Sequence, residues 1–223
     1  MEPRYARNIP ALTEEECLAL RKKKVLVVGC GGLGGHIIDQ LARLGIGHLR
    51  VVDGDVFDES NLNRQLLSEV PLLGPGKAKA AADRVRRVNP NVTVEAVEHF
   101  LSGENVHPLL EGCDAVLDAL DNIGSRKTLA AACAEKNIPY IYGAISGWVA
   151  QAAVSMPGDG LIEALYPEGT EIFDKSVLSF TPALCASLQV SLCVKLLTGR
   201  PVEPGTVYYF DLQNLEFETI PFL

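Results

Sequence analysis

The sequence predicts an α/β fold, a parallel sheet with helices on both faces, extended by antiparallel strands at its C-terminal end. Three observations predict it. Up to about residue 145, apolar runs of strand length alternate with segments of helical periodicity. A glycine-rich turn, GCGGLGG at 29–35, joins the first of these runs to the helix that follows it. Beyond residue 146, strand-like stretches lie close together with few long helices between them, which ends the parallel pattern.

Each element follows in order. A short helix is expected at about 13–22. KVLVVG is a continuous apolar run, as a strand buried on both faces should be. LGGHIIDQLARLG reads as a helix, HLRVVD as the second strand, and GKAKAAADRVRRVNP as a helix stopped at Asn89 and Pro90. VTVEAVEHF and AVLDAL are the third and fourth strands, SRKTLAAACAEKN a helix, and PYIYGAI the fifth strand. WVAQAAVSMP, TVYYFDLQN and LEFETIPF complete the sheet in antiparallel fashion. TPALCASLQVSLCVKLLTG is a strongly apolar helix suited to the core or a subunit interface, and PGDGLIEALYPEGTEIFDKS reads as a surface crossover loop. No repeat or composition break divides the chain. It is expected to be one domain, 1–223, with an N-terminal helical region (1–24), a nucleotide-binding half (25–145) and a C-terminal mixed sheet and helix (146–223).

Composition narrows the function. The 223 residues are 48% hydrophobic and carry a net charge of -8, which argues against a broad nucleic-acid surface. No uninterrupted run of about 18 apolar residues suggests a membrane span. The N-terminus lacks the apolar core of a signal peptide, so a cytoplasmic location is the default. The six cysteines include no pair separated by two residues, and no zinc site is expected.

The chemistry concentrates at the carboxyl edge of the predicted sheet. Gly29, Gly31 and Gly34 fit the G-x-G-x-x-G pattern of a Rossmann-like nucleotide turn, which lets phosphate approach a helix N-terminus. Asp53 ends the second strand, where a carboxylate can accept from two ribose hydroxyls. To this point a nicotinamide dinucleotide fits as well. Arg64 and Lys77 then follow in the same edge region. A dinucleotide's diphosphate is already served by the glycine turn, so two further cations point to a triphosphate and its leaving pyrophosphate. Asp121, after the fourth strand, could hold magnesium, which keeps several waters and needs few protein ligands. Asp118 is expected to pair structurally, Asn122 to cap a helix, and Arg126 to lie at the surface or line the site.

Taken together, RYAR (4–7), VLVVGCGGLGG, LRVVDGDVFDESNLNRQ, GPGKA, DALDN, YGAISGW and SLQVSLCVKLLTG resemble the HesA/MoeB/ThiF family, bacterial relatives of ubiquitin-activating enzymes, in family order over nearly the whole chain. The resemblance implies that ATP and magnesium are bound and that the C-terminal glycine carboxylate of a small ubiquitin-like carrier protein is adenylated. It implies that Asp53 holds the ribose, that Asn61, Arg64 and Lys77 contact phosphates, and that Asp121 holds the metal. Gln65 is placed at the pocket edge, and Gly32, Asp55 and Asn122 join the nucleotide contacts. The family is dimeric, and the arginine matching Arg7 reaches into the partner's active site.

The carboxylate of a protein C-terminus has a pKa of about 3.5 and is already an ionised nucleophile at neutral pH, so no general base is required. What the reaction requires is screening of one anion approaching another.

The sequence also departs from the family. RYARN replaces the commoner arginine–glutamine ending, and the two zinc-binding cysteine pairs of many relatives are missing. No cysteine occurs in EGTEIFDKSVLSFTP, where thioester-forming relatives carry their nucleophile. Adenylation without an enzyme thioester is therefore expected, with Cys185 a minor candidate. Three alternatives stand beside this reading: a tRNA threonylcarbamoyladenosine dehydratase, a nicotinamide-dependent oxidoreductase that would leave Arg64 and Lys77 idle, and a non-catalytic binding module.

Overall fold

The computed structural model describes residues 2–171 and 176–222. A 3-10 turn at Pro3–Asn8 carries RYAR and precedes α1 (Glu14–Leu20). Thr13 caps α1 in a reciprocal box with Glu16, which satisfies two helix-end donors at once. Arg200 then clasps Glu16 at 2.6 and 2.7 Å, tying the chain's first helix to its last.

The strands are β1 (Lys24–Val28), β2 (His48–Val52), β3 (Thr93–Val97), β4 (Ala115–Asp118), β5 (Tyr140–Ser146), β6 (Val149–Ser155), β7 (Thr206–Asp211) and β8 (Glu216–Pro221). They form one sheet in the order β3-β2-β1-β4-β5-β6-β7-β8. Pairing is parallel from β3 through β5 and antiparallel from β5 through β8. The remaining helices are α2 (Gly32–Leu44), α3 (Lys77–Val88), α4 (Val106–Leu110), α5 (Ile123–Glu135), α6 (Leu161–Leu165) and α7 (Phe180–Thr198).

The continuous apolar run of β1 is explained by two cores. Val25 and Val27 pack on one face with α2, α3 and α7, while Leu26 and Val28 pack on the other with α4, α5 and α6. A strand's side chains alternate between faces, so a strand covered on both sides has no place for a polar residue. The chain runs outward from β1 to β2 and β3, then returns to place β4 on the opposite side of β1. That reversal opens a crevice at the carboxyl ends of β1 and β4, where ligands of open α/β sheets bind.

Two segments differ from expectation. The supposed surface loop at 157–176 contains α6, whose Leu161 and Ile162 are fully buried. Asp159 makes this turn by accepting from Ser155 Oγ at 2.7 Å, Met156 N at 2.6 Å and Leu161 N at 3.0 Å. A short apolar pair among turn residues carries no helical period, which is why it reads as loop. The third strand ends at Val97 rather than Phe100, and residues 99–101 border the crevice.

Helix α7 is long and apolar enough, by length and composition, to cross a membrane. In this fold it is a core helix. It packs on α2, β5 and β6, and Thr181, Cys185, Ala186, Gln189 and Cys193 are buried.

Candidate functional site

The crevice has a volume of about 450 Å3 and gathers residues from nine separate stretches of chain. The glycine turn supplies its floor. Gly29 has φ +100°, and a Cβ there would stand 2.4 Å from the Ala119 carbonyl. Only glycine fits this close crossing between β1 and β4. Gly34 serves packing: a Cβ would lie 1.8 Å from the Gly29 carbonyl, so it lets α2 close against the turn. Gly31 and Gly32 line the crevice itself, and Cβ atoms there would meet only ordinary contacts, 3.6 Å from Gln65 and Arg64. Their smallness keeps the N-terminus of α2 open to an anion.

Asp53 sits beside this turn. One oxygen accepts from Cys30 N at 2.7 Å and the other from Asp55 N at 2.9 Å. Each oxygen retains further accepting capacity, enough for a pair of hydroxyls. Burial pushes its carboxyl pKa up, against the pull of those two backbone N–H groups.

Asp55 and Lys77 form an ion pair within the crevice wall. Lys77 is 6% exposed and begins α3, its amide bonded to the Asp55 carbonyl at 2.9 Å. The lysine hydrogen bond holds the Asp55 carboxyl below its ordinary range. A buried lysine is thus held in the crevice wall by one exposed carboxylate.

Arg64 borders the crevice beside Gly32. Its Nη1 donates to the Ser60 carbonyl and to Asn63 Oδ1, both at 2.8 Å. The loop is rigid beneath it. Asn61 and Asp58 form a reciprocal cap over Glu59–Asn61, and Gln65 N bonds the Asn61 carbonyl at 3.0 Å. Gln65 is buried, lines the crevice, and leaves its Oε1 without a hydrogen-bond partner among the described residues. An orphaned buried acceptor beside the glycine turn fits a ligand donor.

Asp121 and Asn122 lie on the β4 side of the crevice, both exposed. Asn122 caps α5, its Oδ1 accepting from Ser125 N at 2.8 Å. Asp121 enters no ion pair among the described residues. No cluster of three or more His, Cys, Asp or Glu occurs among them either.

The structure therefore brings Gly29, Gly31, Gly32, Asp53, Asp55, Arg64, Gln65, Lys77, Asp121 and Asn122 to one crevice. Three predicted residues stand apart. Gly34 packs behind the turn. Asn61 turns its side chain toward Asp58 and Ser60, so it shapes the loop rather than facing the cavity. Arg7 is exposed on the N-terminal 3-10 turn, outside the crevice of its own chain.

Arg126 lines the crevice, the second of its two expected settings, and is not a surface residue. It is 4% exposed and paired with the fully buried Asp118. Its i+3 distance from Ile123 gave no sign of this, because the partner comes from β4. Sequence reasoning also missed His99, Phe100 and Leu101, which border the crevice. Phe100 is 69% exposed, and an aromatic placed just past a strand's carboxyl end is the signal that could have found it.

Five of the six cysteines are buried and Cys113 is half-buried. Cys30 and Cys193 are fully buried, and burial pushes the Cys185 thiol up to about 12. The stretch 168–182, where a nucleophilic cysteine was sought, includes residues 172–175, which lie outside the described residues; its sequence contains no cysteine.

Comparison with known proteins identifies relatives of the whole chain. The SAMP-activating enzyme E1 of Haloferax volcanii is 36% identical over 229 residues, covering 98% of this chain and 84% of that protein. The probable adenylyltransferase/sulfurtransferase MoeZ of Mycobacterium tuberculosis is 33% identical over 231 residues, and the match covers 97% of this chain but 59% of MoeZ. The crystal structure of E. coli MccB with MccA-N7isoASN superposes with a TM-score of 0.88 over 100% of this chain and 72% of that one; at 20% identity it shows a shared fold. The ThiF family model matches residues 5–222. The chain belongs to the ThiF family and is an enzyme of the E1-like adenylyltransferase type.

Proposed function

We propose that the chain uses ATP to adenylate the C-terminal glycine carboxylate of a small ubiquitin-like carrier protein, releasing pyrophosphate. One observation carries the reading: Arg64, Lys77 and Asp121, distant in sequence, line the same crevice as the glycine turn and Asp53. The relatives' names, a SAMP-activating enzyme and adenylyltransferases, support it.

The residues present fit the nucleotide. Asp53 offers acceptors for the ribose hydroxyls, Gly31 and Gly32 leave room for phosphate at the N-terminus of α2, and the orphaned Gln65 Oε1 can accept from the ligand. Magnesium, brought with ATP, would supply charge neutralisation between phosphates, and Asp121 is the residue that would hold it. A single carboxylate would suffice, because magnesium takes few ligands from protein and the rest from phosphate and water.

The work left to the protein is electrostatic. The incoming carboxylate is already ionised, so the barrier lies in bringing it to an α-phosphorus surrounded by negative charge. Arg64 and Lys77 offset the charge that gathers on the leaving pyrophosphate. Cations fixed before reaction need no reorganisation during it, and one such donor contributes about 10²–10³-fold in rate. In a dimer, Arg7 would serve the partner's crevice. No enzyme thioester forms, since the family position lacks cysteine and Cys185 is sealed in the core.

The experiment is ATP–pyrophosphate exchange with magnesium and candidate carriers ending in glycine. Exchange that depends on the carrier's terminal carboxylate is expected. Exchange driven equally by a carrier lacking its last residue, or no exchange with any carrier while tRNA stimulates ATP turnover, would contradict the reading.

A further inference from the structure

Arg126 and Asp118 form a buried ion pair to which the chemistry above gives no task. Asp118 ends β4 with no exposure, and Arg126 lies in the first turn of α5. Tyr140 donates its hydroxyl to Asp118 Oδ2 at 2.6 Å, and Arg126 Nη1 donates to that oxygen and to the Gly143 carbonyl at 2.7 Å. The contacts left over converge on one residue. Asp118 Oδ1 accepts from Leu120 N at 2.8 Å, while Arg126 Nη2 donates to the Leu120 carbonyl. Both backbone groups of Leu120 are held by one charged pair, and the next residue is Asp121.

A buried pair is a poor device for stability alone. Its desolvation cost rivals its attraction, and packed apolar side chains often do as well. What distinguishes it is direction. A planar guanidinium and a carboxylate fix several hydrogen bonds at set angles, which a hydrophobic contact does not do. Asp121 is exposed and has no ion-pair partner among the described residues, so the backbone before it sets where its carboxylate stands.

We infer that Asp118 and Arg126 are positioning residues, which lock the Leu120 backbone so that the Asp121 carboxylate meets the metal on the nucleotide's phosphates. The inference rests on the adenylation reading of this crevice and deepens it. Arg126 also borders the cavity, and its Nε has no partner among the described residues, but its Nη1 and Nη2 are committed to Asp118, Gly143 and Leu120, so it acts through Leu120.

Arg126→Lys tests it. Lysine keeps a positive charge beside Asp118, yet one ammonium cannot serve Asp118, Gly143 and Leu120 together with the reach of a fork. ATP–pyrophosphate exchange should lose about 100-fold in kcat, the scale of a small misplacement of a reacting group. KM for ATP at saturating magnesium should rise by no more than the factor by which the metal contact weakens, about 10-fold, because the glycine turn and Asp53 are untouched. Binding of Mn2+ to the protein with a non-hydrolysable ATP analogue, followed by electron paramagnetic resonance, should weaken about 10-fold, as loss of a supporting partner does. Leu129→Ala, a core truncation on the same helix with no bond to Leu120, is the stability control: it should melt lower and keep the wild-type Mn2+ affinity. If Arg126→Lys does not fold, Asp118→Asn is measured against the same expectations. Wild-type Mn2+ affinity in the folded variant, or a loss matched by Leu129→Ala, would overturn the positioning role. Absence of exchange in the wild type would instead contradict adenylation, so the two failures are distinguishable.

Discussion

Arg64 and Lys77 are both cations in one crevice, yet their settings differ and so should their substitutions. Arg64 is partly exposed and bonds a carbonyl and an amide of its own loop, whereas Lys77 is buried against Asp55. Arg64→Ala should therefore fold normally, with stability within about 0.5 kcal/mol of wild type. Its exchange rate should fall about 10²–10³-fold. Calorimetry beside the exchange assay checks both halves; wild-type turnover would remove Arg64 from the mechanism. Lys77→Ala should lose activity and stability together, because it leaves the Asp55 carboxylate facing a cavity without its cation. At this scale the sequence was informative where chemistry dictates residue type, as at Asp53, Arg64 and Asp121. It was silent on which side chains pair. Asn61 was misplaced, and the pairing of Arg126 with Asp118 went unforeseen, because a cap to Asp58 and a bond to a neighbouring strand leave no trace in spacing.

Elements are held in place by contacts that are testable one at a time. Gly34 and Gly32 occupy the same turn for different reasons. Gly34→Ala drives a Cβ into the Gly29 carbonyl and should destabilise the fold by about 3 kcal/mol or more. Gly32→Ala meets only ordinary contacts, so its melting should stay near wild type while ATP binds more weakly. Equal destabilisation of both variants in urea unfolding would contradict this division. Asp39 joins α2 to α3 by accepting from Arg43 at 2.7 Å and from Arg84 at 2.8 Å. Burial raises its pKa, but those two hydrogen bonds outweigh it and hold the carboxyl below its ordinary range. A depressed folded pKa means stability is present above the unfolded value near 3.8 and is lost as pH falls through the folded one. Asp39→Asn should accordingly cost about 2 kcal/mol at pH 7. The gap to wild type should narrow in strong acid, and a constant gap from pH 7 to pH 2 would exclude the linkage. The long periodic elements were legible in the sequence because one side of each meets a core. The helices α4 and α6 were not, since five residues complete too little of a turn pattern to separate them from loop.

The whole molecule places its chemistry at the one point where strand order reverses, and that point followed from the glycine turn between the first strand and helix. What the sequence could not specify was the route of the chain past β3, which brings Phe100 to the crevice rim. The C-terminal half holds together through α7 packed on β5 and β6, without the cysteine pairs of many relatives. Chelation with EDTA should thus leave the melting temperature unchanged while abolishing exchange; a lowered melting temperature would reveal a structural metal. ATP with magnesium at about 100 times its Kd should raise the melting temperature by about 5–10 °C, given about 2.7 kcal/mol of linkage in a chain of this size. The most direct measurement is a crystal structure with magnesium and a non-hydrolysable ATP analogue. The account predicts the ribose on Asp53, the α-phosphate over Gly31 and Gly32, the outer phosphates between Arg64 and Lys77, and the metal on Asp121. A triphosphate running elsewhere, with Arg64 and Lys77 turned to solvent, would contradict it.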